Sequence, residues 1–226
     1  MTQLQLQLQI QLYPLWLRLW HWFNAISFLI LILSGASLHF SGQPFLLNFN
    51  TARILHNFFG ILLAINYLLF ILGNFFLGNW RFYRPQINGL LSRLLLQLRY
   101  YAYGVFIGED KPFHSNPNRK FNPLQQLAYL MIMYGAMPIL IISGMVFFFP
   151  ELAPDKIMGM DGLWPIAVVH YLIGVLLTAF LISHLYLITI GKALTHEMKK
   201  MLFGYQVERQ VNHQQSENNK ELDSEY

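Results

Sequence analysis

The sequence of 226 residues contains no cysteine. This absence excludes a disulfide, an iron–sulfur cluster, a covalently attached c-type haem and a thiolate zinc site within the chain. A redox metal here would have to be held by histidine, methionine or oxygen ligands. Non-covalent haem bound by paired imidazoles meets that restriction.

Charged residues are also scarce, at 12% of the chain, whereas 55% of the residues are hydrophobic. The mean hydropathy of +0.38 lies above that of ordinary soluble domains. Four apolar runs are long enough to cross a bilayer, and none of them contains Asp or Glu. The first is too long for a signal peptide, and no small-residue cleavage site precedes the loop after it. We therefore predict an all-α integral membrane four-helix bundle, with spans at about 22–40, 54–77, 124–149 and 166–190.

The basic residues are distributed unevenly between the two sides of this predicted bundle. With both termini on one side, that side carries thirteen basic residues, and the other carries Arg53 and Lys156. The positive-inside rule then predicts that both termini are cytoplasmic. The net charge of +4 reflects this topology and contact with anionic lipid rather than nucleic acid. The thirteen are Arg18, Arg81, Arg84, Arg93, Arg99, Lys111, Arg119, Lys120, Lys192, Lys199, Lys200, Arg209 and Lys220.

Outside the spans, composition suggests three further segments. Residues 1–15 contain the alternating stretch QLQLQLQIQL, which we interpret as low-complexity or interfacial because a lone strand would have no partner. Residues 16–204 form the four-helix domain, and within it the pattern at about 89–106 predicts an amphipathic helix lying at the membrane interface. Residues 205–226 are polar and charged, and are expected to be disordered.

Four histidines lie at matched depths in the predicted spans. His170 and His184 are fourteen residues apart, which places them about 21 Å apart along a helix and only about 40° apart around it. By span direction, His56 shares the depth of His170, and His21 shares the depth of His184. Histidine within a span is costly and usually functional. The two same-depth pairs therefore predict the ligands of two stacked haems in one bundle.

Each histidine also has a structural explanation when it is taken singly. His21 lies between two tryptophans and could belong to an interfacial aromatic belt. His56 could cap a helix or form a hydrogen bond between helices. Four depth-matched positions together favour ligation. The remaining histidines are predicted to be interfacial (His39) or solvated (His114, His196 and His213).

Small and basic residues near these positions suggest further contacts with a cofactor. Gly35 shares the face of the first predicted ligand at the depth of the other pair, and Gly60 and Gly174 each follow a ligand by four residues. Each could admit a macrocycle close to its helix, or could simply allow close helix packing. Arg18 and Arg53 each precede a ligand by three residues, and either could pair with a haem propionate or anchor lipid headgroups.

Several stretches resemble one known family. They are YPLWLRLWHWFNA around His21, ARILHNFFGILLAINYLLF around His56, KFNPLQQLAYL at the third run, and VVHYLIGVLLTAFLISHLYLITIGK around His170 and His184. These stretches resemble the di-haem cytochrome b subunits of thiosulfate reductase, formate dehydrogenase-N and nickel–iron hydrogenase. The thiosulfate-reductase branch is the most similar, and the resemblance extends over about residues 13–205.

The resemblance implies that the four histidines are axial haem ligands and that a quinone reacts beside one haem. In the formate dehydrogenase branch, an Asn before the third span contacts the quinone. Asn122 occupies the matching place, with Gln125 nearby, although Pro123 and Leu124 replace small residues. Alternatively, Asn122 is the N-cap of a helix that begins at proline.

The resulting hypothesis is a membrane cytochrome b subunit of a respiratory oxidoreductase in the bacterial inner membrane. It would bind two b haems and pass electrons between quinone and a periplasmic partner, commonly an iron–sulfur protein within a molybdenum or nickel–iron complex. One alternative is a stand-alone quinol-oxidising cytochrome b. Another is a histidine-based metal or proton transporter, although such a path normally provides carboxylates within the spans.

Overall fold

The computed structural model describes residues 7–11, 13–43, 46–113, 120–189 and 194–209. Within these ranges, four helices are long and apolar enough to cross a membrane. They are α1 (Leu15–His39), α2 (Phe49–Phe76), the third span (Pro123–Phe148, formed by α4 at Pro123–Met131 and α5 at Met137–Phe148), and α6 (Leu163–Thr189). The predicted all-α membrane bundle is thus confirmed.

Each spanning helix begins earlier than the apolar run that predicted it, and side chains cap three of these helix starts. The Asn48 side chain caps α2 by accepting a hydrogen bond from the Thr51 amide at 2.9 Å. At the third span, the N-cap Asn122 and Gln125, three residues later, form a reciprocal capping box, with Pro123 as the first helical residue. Asp161 accepts from the Leu163 amide at 3.0 Å at the start of α6. These side chains satisfy amides that a helix start leaves unpaired.

The spans pack chiefly as two consecutive pairs, α1 with α2 and the third span with α6. A reciprocal contact links the first pair: the Trp20 indole donates to the Asn66 carbonyl at 3.0 Å, and the Asn66 amide donates to the Trp20 carbonyl at 3.5 Å. Asn66 is buried. Such polar contacts hold transmembrane helices in register where lipid provides little hydrophobic driving force.

A wide π turn at Ile132–Ala136 joins α4 to α5 just before Pro138. In this turn the Met137 amide donates to the Ile132 carbonyl, so it does not pair with the Met133 carbonyl four residues back. The Tyr67 hydroxyl of α2 donates to that Met133 carbonyl at 2.8 Å. A backbone group at membrane depth needs an internal partner, and a side chain of the neighbouring helix supplies it.

The outer surface of the spans is apolar. Large side chains that are at least two-fifths exposed occur on all four spanning helices, including Leu29, Leu68, Ile142 and Leu172. The buried interior, by contrast, contains several small polar residues, among them Ser27, Ser34, Ser37 and Ser143. An apolar exterior around a partly polar interior is the pattern expected when lipid is the solvent.

At one end of the bundle, the chain between α2 and the third span folds back over the helix ends. The predicted interfacial helix is present as α3 (Leu90–Arg99), followed by a π turn at Tyr100–Gly104. Its position at a membrane surface remains a prediction. Arg99 and Glu109 form an ion pair at 2.7 Å beside it.

The two ends of the described chain meet, contrary to the expectations for both terminal segments. Strand β1 (Gln7–Gln11) pairs antiparallel with β4 (Tyr205–Arg209). Helix α7 (Leu194–Phe203) precedes β4, and a short hairpin of β2 (Lys156–Ile157) and β3 (Met160–Asp161) precedes α6. The alternating stretch therefore has a partner strand, and disorder is the wrong prediction for residues 205–209. Residues 210–226 lie outside the described ranges.

Candidate metal centres between paired histidines

The four predicted histidines come together in the two predicted pairs. The ring centres of His56 on α2 and His170 on α6 are 6.3 Å apart. Those of His21 on α1 and His184 on α6 are 6.4 Å apart. Both pairs therefore join α6 to a different helix of the first helix pair, as the depth argument predicted.

The spacing within each pair suits a metal held between two imidazoles. An imidazole nitrogen binds a metal at about 2 Å, and the ring centre lies about 1 Å beyond it. Two imidazoles on opposite sides of one ion therefore have ring centres roughly 6 Å apart. The described residues contain no group of three or more His, Asp or Glu that could hold a metal ion. Each pair would therefore supply two imidazole ligands, and a macrocycle such as haem would supply the remaining ligands of the metal.

Ser34 and Gly35 of α1 lie against the ring of His56. The Ser34 hydroxyl is 3.0 Å from His56 Nδ1, and Ser34 is completely buried. A Cβ built on Gly35 would lie 3.3 Å from His56 Cε1, which is closer than an ordinary van der Waals contact. Because Gly35 has no side chain, the imidazole of His56 can pack closely against α1. Contact between Gly35 and a macrocycle remains a prediction.

The same arrangement occurs at the other histidine of this pair. The Ser143 hydroxyl of the third span is 3.0 Å from His170 Nδ1, and the Leu140 carbonyl is 3.1 Å from the same atom. A Cβ built on Gly144 would lie 3.1 Å from His170 Cε1. A Ser-Gly dipeptide thus contacts each histidine of the His56–His170 pair, from the helix that precedes it in the chain.

Sequence reasoning missed Ser34, Ser143 and Gly144. A signal was available, because the triplets Leu-Ser-Gly and Ile-Ser-Gly stand at the same predicted depth in the first and third spans. Serine in an apolar span is usually explained by a hydrogen bond to its own helix, so this signal is weak without the packing.

The His21–His184 pair has a different environment. His21 Nδ1 is buried and has no hydrogen-bond partner among the described residues. Trp22 lies edge-on to the His21 ring at 5.3 Å, and Phe180 stacks on the His184 ring at 6.2 Å. Asn24 Oδ1, one turn beyond His21, is also buried without a partner. Aromatic rings therefore flank this pair, and no Ser-Gly contact like those at the first pair occurs in the described part of the chain.

The remaining predicted contact residues differ in their surroundings. Apart from the adjacent backbone of its own helix, no atom of the described residues lies within 4 Å of a Cβ built on Gly60 or Gly174, which is compatible with a macrocycle beside α2 and α6. A guanidinium nitrogen of Arg18 donates to the Leu202 carbonyl, while its buried Nε has no hydrogen-bond partner in the described part of the chain. Arg53 is exposed and donates to Asn50 Oδ1 at 3.2 Å.

Asn122 and Gln125 both take part in the capping box of the third span. The Asn122 side-chain oxygen accepts from the Gln125 amide at 2.9 Å, and the Gln125 side-chain oxygen accepts from the Asn122 amide at 3.1 Å. The Asn122 side-chain amide also donates to the Tyr101 hydroxyl at 2.9 Å. The alternative of a helix cap is therefore realised at Asn122, and contact with quinone remains a prediction.

His39 lies apart from both pairs. Its exposed ring stacks on Tyr171 at 4.4 Å, which agrees with a position at the end of a span. His114, His213 and the side chain of His196 lie outside the described residues, so the prediction that they are solvated is not tested.

Comparison with known proteins agrees with this geometry. The family model described as prokaryotic cytochrome b561 matches residues 12–204. The chain is also 35% identical over 197 residues to the protein named "Putative cytochrome YdhU" of Escherichia coli (strain K12). That alignment covers 86% of this chain and 73% of the relative.

Proposed function

This chain belongs to the prokaryotic cytochrome b561 family, and we propose that it is the membrane subunit of a respiratory oxidoreductase that carries two b haems. Family membership and the four spanning helices make it a multi-pass membrane cytochrome of the bacterial inner membrane. In the proposal, electrons pass between the quinone pool and a periplasmic redox partner by way of these two haems.

The observation that carries the proposal is the pairing of the four histidines, with ring centres 6.3 and 6.4 Å apart. His56 with His170, and His21 with His184, would each provide the two axial ligands of one haem. The absence of cysteine restricts the chain to non-covalent haem binding, and membership of the cytochrome b561 family indicates the b type. When bound, haem supplies one-electron redox chemistry, and the protein supplies ligation, orientation and electrostatics.

Helix α6 provides one ligand to each centre, so it sets the distance between them. His170 and His184 are about 21 Å apart along its axis. The buried polar contacts between α1 and α2 hold His21 and His56 in register on the facing side. The chain would therefore form a relay across most of the bilayer core, which is about 30 Å thick.

The side of each centre follows from the distribution of basic residues. With the termini cytoplasmic, the His21–His184 pair lies near the cytoplasm and the His56–His170 pair near the periplasm. The pairing of β1 with β4 supports the placement of both termini at one end. The proposed partner subunit would accept or donate electrons at the periplasmic end. The resemblance to the thiosulfate-reductase branch suggests an iron–sulfur protein as that partner.

The quinone is proposed to bind at the cytoplasmic end, near Asn122. Reduction of a quinone requires hydrogen-bond donors and a supply of protons. Lys120, two residues away, is half-buried and donates to Asn79 Oδ1 at 3.3 Å. Burial, and then the nearby Arg81 charge, lower the pKa of Lys120 below its usual value. A lysine with a lowered pKa releases a proton more readily, which supports this end as a site of proton-coupled chemistry.

Haem analysis of the purified full-length protein tests the proposal. We expect two haems per chain by the pyridine haemochrome assay, with low-spin spectra. His56→Ala and His170→Ala should each remove one haem, while His21→Ala and His184→Ala should remove the other. His39→Ala is the matched control and should retain both haems. A wild-type content of one or no haem contradicts the proposal, and no haem would favour the alternative of a metal or proton transporter.

A second measurement tests the partner. Purification from the native membrane under mild conditions should recover an iron–sulfur or molybdenum subunit in a fixed ratio to this chain. Recovery of the chain alone, with full quinol-linked reduction of both haems, would favour a stand-alone cytochrome b.

A further inference from the structure

We propose that Ser34 and Ser143 are positioning residues that make the two haem sites electronically unequal. They would lower the midpoint potential of the His56–His170 site relative to the His21–His184 site. This inference rests on the proposed function, because it presumes one haem between the histidines of each pair.

The hydrogen bonds of Ser34 favour the His56 tautomer that is protonated at Nδ1. A serine hydroxyl has one proton to donate, and Ser34 Oγ lies 2.7 Å from the Ile30 carbonyl, which can only accept. With the serine proton on the Ile30 carbonyl, a lone pair of Ser34 Oγ accepts from His56 Nδ1, 3.0 Å away. This tautomer leaves Nε2 as the nitrogen of His56 that would bind the metal.

At His170 a backbone carbonyl and Ser143 together favour the same tautomer. Its hydroxyl lies 2.7 Å from the Ile139 carbonyl and 3.0 Å from the Leu140 carbonyl. His170 Nδ1 faces Ser143 Oγ and also the Leu140 carbonyl at 3.1 Å, and a carbonyl oxygen only accepts. Nδ1 of His170 must therefore carry the proton. In this tautomer both histidines of the pair donate from Nδ1 to acceptors on a neighbouring helix or its backbone, and Nε2 of each is left to bind the metal.

Acceptors at Nδ1 change the electronic character of an axial imidazole. A metal-bound histidine whose other nitrogen donates a hydrogen bond is a more basic ligand. Two such ligands stabilise the more positive ferric state, so the midpoint potential of the site falls. His21 Nδ1 is buried and has no such partner among the residues that the structure describes. The His56–His170 site should therefore have the lower potential, and an electron that enters there would move downhill to the His21–His184 site.

The chain provides a matched control for the serine substitutions. Ser27 lies on α1, is completely buried and donates to the Phe23 carbonyl at 2.9 Å. It therefore resembles Ser34 in burial and in its bond to its own helix, and no hydrogen bond joins it to any histidine of the described residues. Ser27→Ala removes a buried hydroxyl from α1 without removing an acceptor from a histidine of the pair.

The test is a potentiometric titration of the purified full-length protein, followed at the haem absorbance bands. The wild type should show two one-electron steps. Ser34→Ala and Ser143→Ala should each raise the midpoint potential of the lower-potential step by about 28 mV. This is about a threefold change in the equilibrium constant for reduction, since a tenfold change in a one-electron step corresponds to about 59 mV. In the double variant the equilibrium constant of the same step should change by about tenfold, and the midpoint potential of the higher-potential step should not change. Ser27→Ala should leave both steps unchanged, and Ser34→Thr, which keeps the hydroxyl, should restore the wild-type value.

Three results would overturn the inference: an unchanged lower step in both single variants, an equal shift of both steps, or an equal shift in Ser27→Ala. The haem content of every variant is measured first. If Ser34→Ala loses haem, Ser143→Ala and Ser143→Thr decide the question from a different helix. A wild type that contains one haem and one redox step would instead contradict the proposed function, so the two failures are distinguishable.

Discussion

Gly144→Ala is a sharp perturbation of the His56–His170 centre, because the third span approaches the ring of His170 closely there. The added Cβ would lie 3.1 Å from His170 Cε1. Favourable carbon–carbon contacts begin at about 3.5 Å, so the ring would have to retreat by about 0.4 Å. That movement would carry His170 Nδ1 away from its two acceptors at 3.0 and 3.1 Å.

The expected cost follows from this geometry. Overpacking of a close contact costs about 1–3 kcal/mol, and loss of hydrogen bonds behind a metal ligand costs about 10–100-fold in affinity. We therefore expect haem at the His56–His170 centre to bind at least about tenfold more weakly. The His21–His184 centre should keep its haem. The assay is haem content per chain at limiting haem, together with a redox titration that shows which centre is occupied.

Two further glycines provide graded controls. A Cβ on Gly35 would lie 3.3 Å from His56 Cε1, so Gly35→Ala should weaken the same centre less than Gly144→Ala does. Gly135 is in the same span as Gly144, but a Cβ built on it would contact no histidine ring of the described residues. Gly135→Ala should therefore retain both haems. The reasoning is refuted if Gly144→Ala keeps two haems with unchanged potentials, or if Gly135→Ala loses as much haem as Gly144→Ala.

Three other predictions concern the frame of the site and its orientation. Tyr67→Phe removes the donor to the carbonyl freed by the π turn, so thermal unfolding in detergent should show a loss of about 1–3 kcal/mol; wild-type stability would contradict the proposed role of the hydroxyl. Asn122→Ala should lose about 1 kcal/mol by uncapping the third span, whereas Asn122→Asp keeps the cap but loses the donor to Tyr101. Slower quinol-linked haem reduction in both Asn122 variants, with stability lost only in the alanine variant, would support a quinone contact; full activity in Asn122→Asp would argue against it. Reporter fusions at Pro154 should be periplasmic and fusions after Asn88 cytoplasmic, and the reverse pattern would exchange the sides of the two centres.

The spans and the histidine pairs could be predicted from the sequence because two physical lengths constrain them. Bilayer thickness sets the length of an apolar helix, and the rise per residue sets the depth of each side chain within it. His170 and His184 therefore had defined depths before any packing was known, and span direction placed His56 and His21 beside them. The absence of cysteine excluded covalently attached haem and iron–sulfur clusters without any knowledge of the packing.

What the sequence could not determine depends on lateral packing and on pairing between distant segments. Depth does not show which helices are neighbours or how each is rotated, so the contacts of Ser34 with His56 and of Ser143 with His170 appeared only in the tertiary structure. The antiparallel pairing of Gln7–Gln11 with Tyr205–Arg209 was missed for a related reason. The partner of a short polar strand lies almost the whole chain away, and only the folded bundle brings the two ends together. Local pattern and membrane thickness thus determined the position of the histidines along the bilayer normal, while helix packing decided which groups contact their Nδ1 atoms.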